Sequence, residues 1–481
     1  MWHGGRVAGT RLRRPAGVRT RLPRRDFSRS WSGSRDRSPR RAVFAPEAAG
    51  VAHPRRARRR PRPAVRAPEP FSIVSRDFPA VSDLPVLRIP PAPATPAAPV
   101  RRVRTGTAPA PVPPLFPAWP AVALYLVLRA VSLIFTWHFV AEKHRDPWAL
   151  LGAYDAAWYA GIARHGYDTA IPVHADGTLA PTNLAFFPLF PALARLADPL
   201  VPGGADRAGI AVAWLAGLVA AGCLYAVGAR LHDRATGILL AGLWAVLPHA
   251  VVESMGYTET LFTALAAAAV HALTRGRWLT AAALCALAGL TRPTAAALIA
   301  VVGAAALVAI VRRRDGWRPW AAAALAPIGL LGYAGWVGWR LGRADGYVHV
   351  QKDAWRMSYD LGGYTVRAAR GLLTGESTPA YFVVTLLLIA ALTLLAVLAT
   401  DPVAPWQLKI YSAAIVALAF FGHGYYHSKA RLLLPAFPLL LPVAATLARA
   451  RRTTVVAVLA AMTLISAAYG VYLCTVWTWS P

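Results

Sequence analysis

The sequence predicts an all-α polytopic membrane protein with about 11 transmembrane helices, preceded by a disordered tail. Three observations carry that prediction. The chain of 481 residues is 56% hydrophobic and only 15% charged, with a mean hydropathy of +0.41. Beyond Leu115 its apolar residues fall into successive runs, several near the roughly 20 residues that cross a bilayer. Basic turns then recur at alternate breaks between those runs, as the positive-inside rule requires.

The tail, residues 1–114, alternates Arg with Pro, Ala and Ser in stretches such as "RRARRRPRPAVRAPEP". It holds 25 arginines against 6 carboxylates, about two thirds of the excess behind the formal charge of +30. Such a composition buries too little apolar surface to offset the entropy of ordering, so the tail is expected to be disordered and cytoplasmic. No apolar h-region follows its first basic residues, so it does not read as a signal peptide. A basic segment beside a membrane suits anionic lipid head groups or nucleic acid, or is simply a solvated extension, and no specific nucleic-acid partner is expected. Cys223, Cys285 and Cys474 lie inside apolar runs without CxxC spacing, as small core residues do.

The second domain, residues 115–481, carries the predicted spans. They run from Pro117 to Val140, Gly209 to Ala229, Thr236 to Val252, Thr258 to Thr274, Trp278 to Leu290, Thr294 to Val311, Arg318 to Trp339, Ala380 to Leu398, Leu408 to Gly422, Leu432 to Leu447 and Thr453 to Trp477. The third to fifth, the ninth and the tenth are short or broken. With the tail inside, "RLHDR", "TRGR", "RRRDGWR" and "ARARR" all face the cytoplasm, and the chain ends outside. The outer face then collects the external loops 141–207 and 341–379, the turns "ESMGYTE" and "TRPT", and "HGYYHSKAR". Ionisable groups gathered at one interface suit an enzyme acting on a lipid-anchored substrate better than a pump.

In "LGAYDAAWYAGIARHGYD", residues Asp155, Trp158, Tyr159, Ile162 and Gly166 form one stripe of a 3.6-residue period. Asp155 either caps that helix or lies at head-group level beside a lipid phosphate. Trp158, Tyr159, Arg164 and His165 are substrate-site candidates on the same segment. "FFPLFP" is too short and kinked to span, and either cradles an isoprenoid tail or packs on the bundle. Arg292, where Pro293 breaks a helix, and Lys429 and Arg431 at the start of the tenth span are either phosphate-binding cations or side chains that snorkel to the interface. Glu253 and Glu259 flank a short outer turn, and His427 joins them as a candidate; with His349, Lys352, Asp353, Trp355 and Arg356 they are either acceptor-site groups or residues of solvated loops. Arg129, midway along the first span, needs a partner inside the bundle, since a charge there costs at least about 2.5 kcal/mol. No GxGxxG, GxxxxGK[ST] or HExxH signature is present, which argues against a nucleotide-sugar donor.

Taken together and in order, "YDAAWYAGIARHGY", "FFPLFP", "YTETLF" with "GLTRPTA", and "KARLLLPAFPLLLP" resemble landmarks of the integral-membrane mannosyltransferases typified by the enzyme that adds the second mannose to GPI anchors (PIG-V-like) and its bacterial relatives. The resemblance covers residues 117–481. It implies a GT-C-like bundle with interfacial helices in the first external loop. It also implies an inverting transfer from a polyprenyl-phosphate sugar, taken as mannose, to a glycolipid or glycan acceptor. The family's acid maps onto Asp155, with Tyr154 where a tryptophan is usual. Asp155 would then be the base, and Arg292, Lys429 and Arg431 would steady the leaving phosphate. No cofactor and no metal is expected. The Ala/Arg/Gly/Pro bias suggests a high-GC bacterium, with the enzyme in its cytoplasmic membrane and the site outside it. The rival reading is a lipid-linked-sugar transporter or flippase without transfer activity, for which only Arg129 is suitably placed.

Overall fold

The computed structural model describes residues 118–375 and 377–481. The tail prediction for residues 1–114 lies outside them. The described chain is an all-α polytopic membrane fold, with a single two-residue strand pair, Ser358–Tyr359 against Gly422–His423.

All eleven apolar segments contain helix, but they do so in two ways. Five helices are long and apolar enough to cross a membrane: Trp119–Glu142, Gly204–Leu231, Arg318–Leu341, Pro379–Thr400 and Arg452–Thr475. Five more are apolar but shorter, Arg234–Ala245, Glu259–Leu273, Trp278–Gly289, Ala295–Val311 and Trp406–Phe421. The eleventh segment is bent by 71° between Tyr426–Leu432 and Phe437–Ala448. The third to fifth, the ninth and the tenth were expected to be short or broken, and they are; the sixth, Ala295–Val311, is short as well, and prolines explain part of the lost continuity. The third segment stops at Ala245 and turns through Leu247-Pro248 into a buried 3-10 turn, Ala250–Ser254. Pro435, Pro438 and Pro442 punctuate the bent one, each removing a backbone donor.

The first span shows how a lipid-facing helix inverts the usual pattern. Its buried stripe, Ala121, Tyr125, Arg129, Ser132, Thr136 and Val140, is partly polar, while Val127, Val131 and Ile134 are exposed where lipid would lie. The Ser132 and Thr136 hydroxyls donate to carbonyls four residues back at 2.9 Å, so neither is left unsatisfied. Elsewhere small residues let helices touch. A Cβ on Gly228 would lie 2.8 Å from the Cα of Gly237, where the helices Gly204–Leu231 and Arg234–Ala245 meet.

The two ends of the bundle are built from different turns. At one end Asp233 caps its helix through Thr236 at 2.7 Å, Trp278 donates to Asp315 at 3.0 Å, and Arg230, His271 and Thr274 come together. At the other, Gly256 donates to Leu151 O at 3.1 Å, Leu189 to Leu290 O at 2.9 Å, and Trp355 Nε1 to Thr182 O at 3.1 Å. The segments assigned to the outer face therefore do meet at one end.

A Cβ on Gly329 would overlap the carbonyl of Ala286, where the seventh segment crosses Trp278–Gly289. Gly329→Ala is therefore expected to cost about 1–3 kcal/mol through overpacking, read as a lower thermal midpoint of the purified protein in detergent.

Candidate active site

The helix Asp155–His165 begins abruptly. Tyr154, the residue before it, has φ +57°, a region that side chains enter rarely and at a cost of order 1–3 kcal/mol. Asp155 is the first helical residue and not the cap, so its carboxylate is free to point away from its own backbone. Asp155 Oδ2 accepts from Arg431 Nη2 at 2.5 Å.

Arg431 is the centre of a larger group. Its Nε lies 3.7 Å from Glu259 Oε1, its Nη1 is 3.2 Å from Ser480 Oγ, and its guanidinium carbon sits 5.3 Å from the centre of the Tyr257 ring. Glu259 in turn forms a close ion pair with Arg292. Two carboxylates and two guanidiniums from four separate stretches of chain thus form a charge-neutral cluster. Each stretch is irregular: a strained helix start, the turn after the 3-10 segment, the Pro293 break and the bent helix. Glu259 opens its helix, where the positive end of the helix dipole favours an acid. Side-chain exposure grades across the cluster, 2% for Glu259, 9% for Arg292, 13% for Arg431 and 23% for Asp155. Asp155 is therefore the most exposed member.

Beside Asp155 stands an aromatic wall. Trp158 stacks on Phe186 at 5.6 Å, and Trp355 packs edge-on against both at 5.3 Å. Tyr159 packs on Phe186 and Phe190, and burial pushes its hydroxyl pKa up. Burial does the same to Tyr257, whose hydroxyl is 3.2 Å from Ser480 Oγ.

Several candidates lie elsewhere. Lys429 Nζ donates to Ala419 O at 2.9 Å and closely to Gly422 O, so it ties off the C-terminal carbonyls of Trp406–Phe421. Two positions from Arg431 on a helix, it projects to another side and does not join the cluster. Arg164 is drawn 2.5 Å from Asp206 on the surface, and His165 is exposed in the last turn. His427 is buried edge-on against Trp477 at 5.3 Å. His349 pairs with Asp353. "FFPLFP" packs into the protein, with Phe187 and Phe190 fully buried, so it offers no open cradle for a lipid tail. Glu253 is not on a solvated turn either. It is the partner that Arg129 required: Arg129 Nε lies 3.9 Å from Glu253 Oε2, and its Nη2 donates to Ser254 Oγ at 2.6 Å. Tyr257 and Ser480 went unassigned in the sequence, since nothing in their spacing marks them.

Among the described residues no three His, Cys, Asp or Glu side chains group as metal ligands, and Cys223, Cys285 and Cys474 are free. Behind Arg431, an apolar cavity of about 300 Å³ is walled by Ala430, Leu434 and Phe437 of the bent segment, with Leu387 and Leu394 opposite.

No family model matches the sequence, and no characterised protein matches it at the sequence level. Among solved structures, the backbone is similar to ArnT from Cupriavidus metallidurans bound to undecaprenyl phosphate, 14% identical with a TM-score of 0.46, over 71% of this chain and 63% of that one. The apo state of the same protein gives 14% identity and 0.44, over 74% and 65%. The apo Archaeoglobus fulgidus oligosaccharyltransferase gives 13% and 0.37, over 72% and 56%. This chain spans less than two thirds of the length of each.

Proposed function

We propose that the protein is an inverting GT-C-type glycosyltransferase. It moves a sugar, taken as mannose, from polyprenyl phosphate to a lipid- or glycan-type acceptor at the outer face of a bacterial cytoplasmic membrane. The observation that carries this reading is the Asp155 carboxylate, the most accessible member of a cluster that also holds two arginines at one end of a membrane bundle.

The chemistry follows from the groups present. The acceptor hydroxyl attacks C1 of the sugar, and an Asp155 oxygen takes its proton. The bond between C1 and the phosphate oxygen breaks on the opposite side, which inverts the anomeric centre. Negative charge then develops on the leaving polyprenyl phosphate, and the planar forks of Arg292 and Arg431 suit it. Trp158 and Trp355 offer apolar faces on which a sugar ring can stack. The apolar cavity behind Arg431 suits the isoprenoid chain, since its wall and the phosphate-binding arginine share one helical segment. Lys429, engaged with a helix end, is left outside the phosphate set.

Asp155→Asn is expected to lower transfer by about 10²–10⁴-fold, the usual contribution of a positioned base. The measurement is product formation by membranes given a panel of radiolabelled polyprenyl-phosphate sugars, which also identifies the sugar. Undiminished turnover in that variant would remove Asp155 from the mechanism. With guanidiniums in place to meet the phosphate charge, transfer should survive EDTA in the same assay.

A further inference from the structure

We infer that the Arg431 to Asp155 ion pair is a latch opened by the donor, so that Asp155 becomes available as a base only after the donor's phosphate has taken Arg431. The inference rests on the proposed polyprenyl-phosphate chemistry and adds an order of events to it. The cluster as it stands has no spare positive charge, since two carboxylates already balance two guanidiniums. An incoming phosphate therefore competes with the two acids for the guanidiniums.

The geometry selects which acid yields. Glu259 is 2% exposed and shared between Arg292 and Arg431 at the start of its helix. Asp155 is 23% exposed, and among the described residues its carboxylate accepts from Arg431 alone. It also stands at the first position of a short helix entered through the strained Tyr154, so little holds it against a competitor. Arg431 has one further contact on that side, Ser480 Oγ at 3.2 Å, which a phosphate oxygen can replace. Glu259 thus stays as the positioning residue that keeps both guanidiniums side by side, while Asp155 turns from a counter-ion into a base.

The reverse step resets the site. After transfer Asp155 carries the acceptor's proton, and the leaving monoester carries about −1.5 to −2 at neutral pH, as phosphate monoesters do. Loss of that proton to water restores an internal anion that competes for Arg431 and helps expel the product.

The test is binding of undecaprenyl phosphate to the purified full chain in detergent, wild type against Asp155→Asn. With the internal competitor gone, the variant should bind on the order of tenfold more tightly while failing to transfer, one charge-assisted hydrogen bond no longer being contested. Inorganic phosphate and undecaprenol form the other arms. A gain shared by inorganic phosphate assigns the exchange to the phosphate group itself, and a gain confined to the lipid assigns it to the lipid headgroup; both support the latch. A gain with undecaprenol overturns it, because that ligand has no anion. Equal or weaker binding by the variant also overturns it, while wild-type binding leaves the proposed function standing. Absence of binding by both proteins overturns the two together. If Asp155→Asn does not fold, wild-type protein with carboxyl-¹³C aspartate supplies the answer. Undecaprenyl phosphate should then produce an isotope-sensitive carboxylate band in the infrared difference spectrum, and a flat spectrum overturns the latch.

Discussion

One guanidinium, that of Arg431, holds the site end of this protein together. It touches Asp155 from the loop between the first two apolar segments, approaches Glu259 at the start of the fourth, and meets Ser480 near the end of the chain. Through Glu259 it also reaches Arg292. Taking an ion out of water costs several kcal/mol even after relaxation, so none of these charges tolerates burial alone. Each is affordable only when the others arrive, which makes four irregular stretches of chain depend on one another. The bend in the segment that carries Arg431 is part of the same constraint, because it sets the arginine at a helix end where three partners can reach it.

The bundle divides its work accordingly. The unbroken helices, such as Pro379–Thr400, expose apolar residues including Phe382, Leu386 and Ile389 where lipid would lie, and their interior backbone groups bond along the helix. The broken and short segments face protein on most sides, where freed carbonyls and amides find partners. Lys429 is an example, its ammonium closing the end of Trp406–Phe421. Irregular backbone is tolerated at membrane depth only where it is covered, and here the covered, irregular part is also where the charges lie.

A second buried pair supports the first. Arg129 grips Ala245 O, Ser254 Oγ and, at longer range, Glu253, so it fixes both ends of the connection that leads from the third helix into the turn before Glu259. The only charged residue in the middle of the first span is therefore spent on shaping the site's neighbour.

The sequence by itself determined the helical class and the places where helix would form. Those properties follow from hydropathy and from proline and charge placement, which are local in the chain. It also isolated Asp155, Arg292 and Arg431 as residues too polar for their surroundings. Only the tertiary structure decided that these three and Glu259 form one cluster, that Lys429 and Arg164 have other partners, and that Glu253 belongs to Arg129. Asp155 and Arg431 are 276 residues apart, and no periodicity reaches that far. The choice of partner is made by the mutual cost of burying charge, which exists only once the chain has folded.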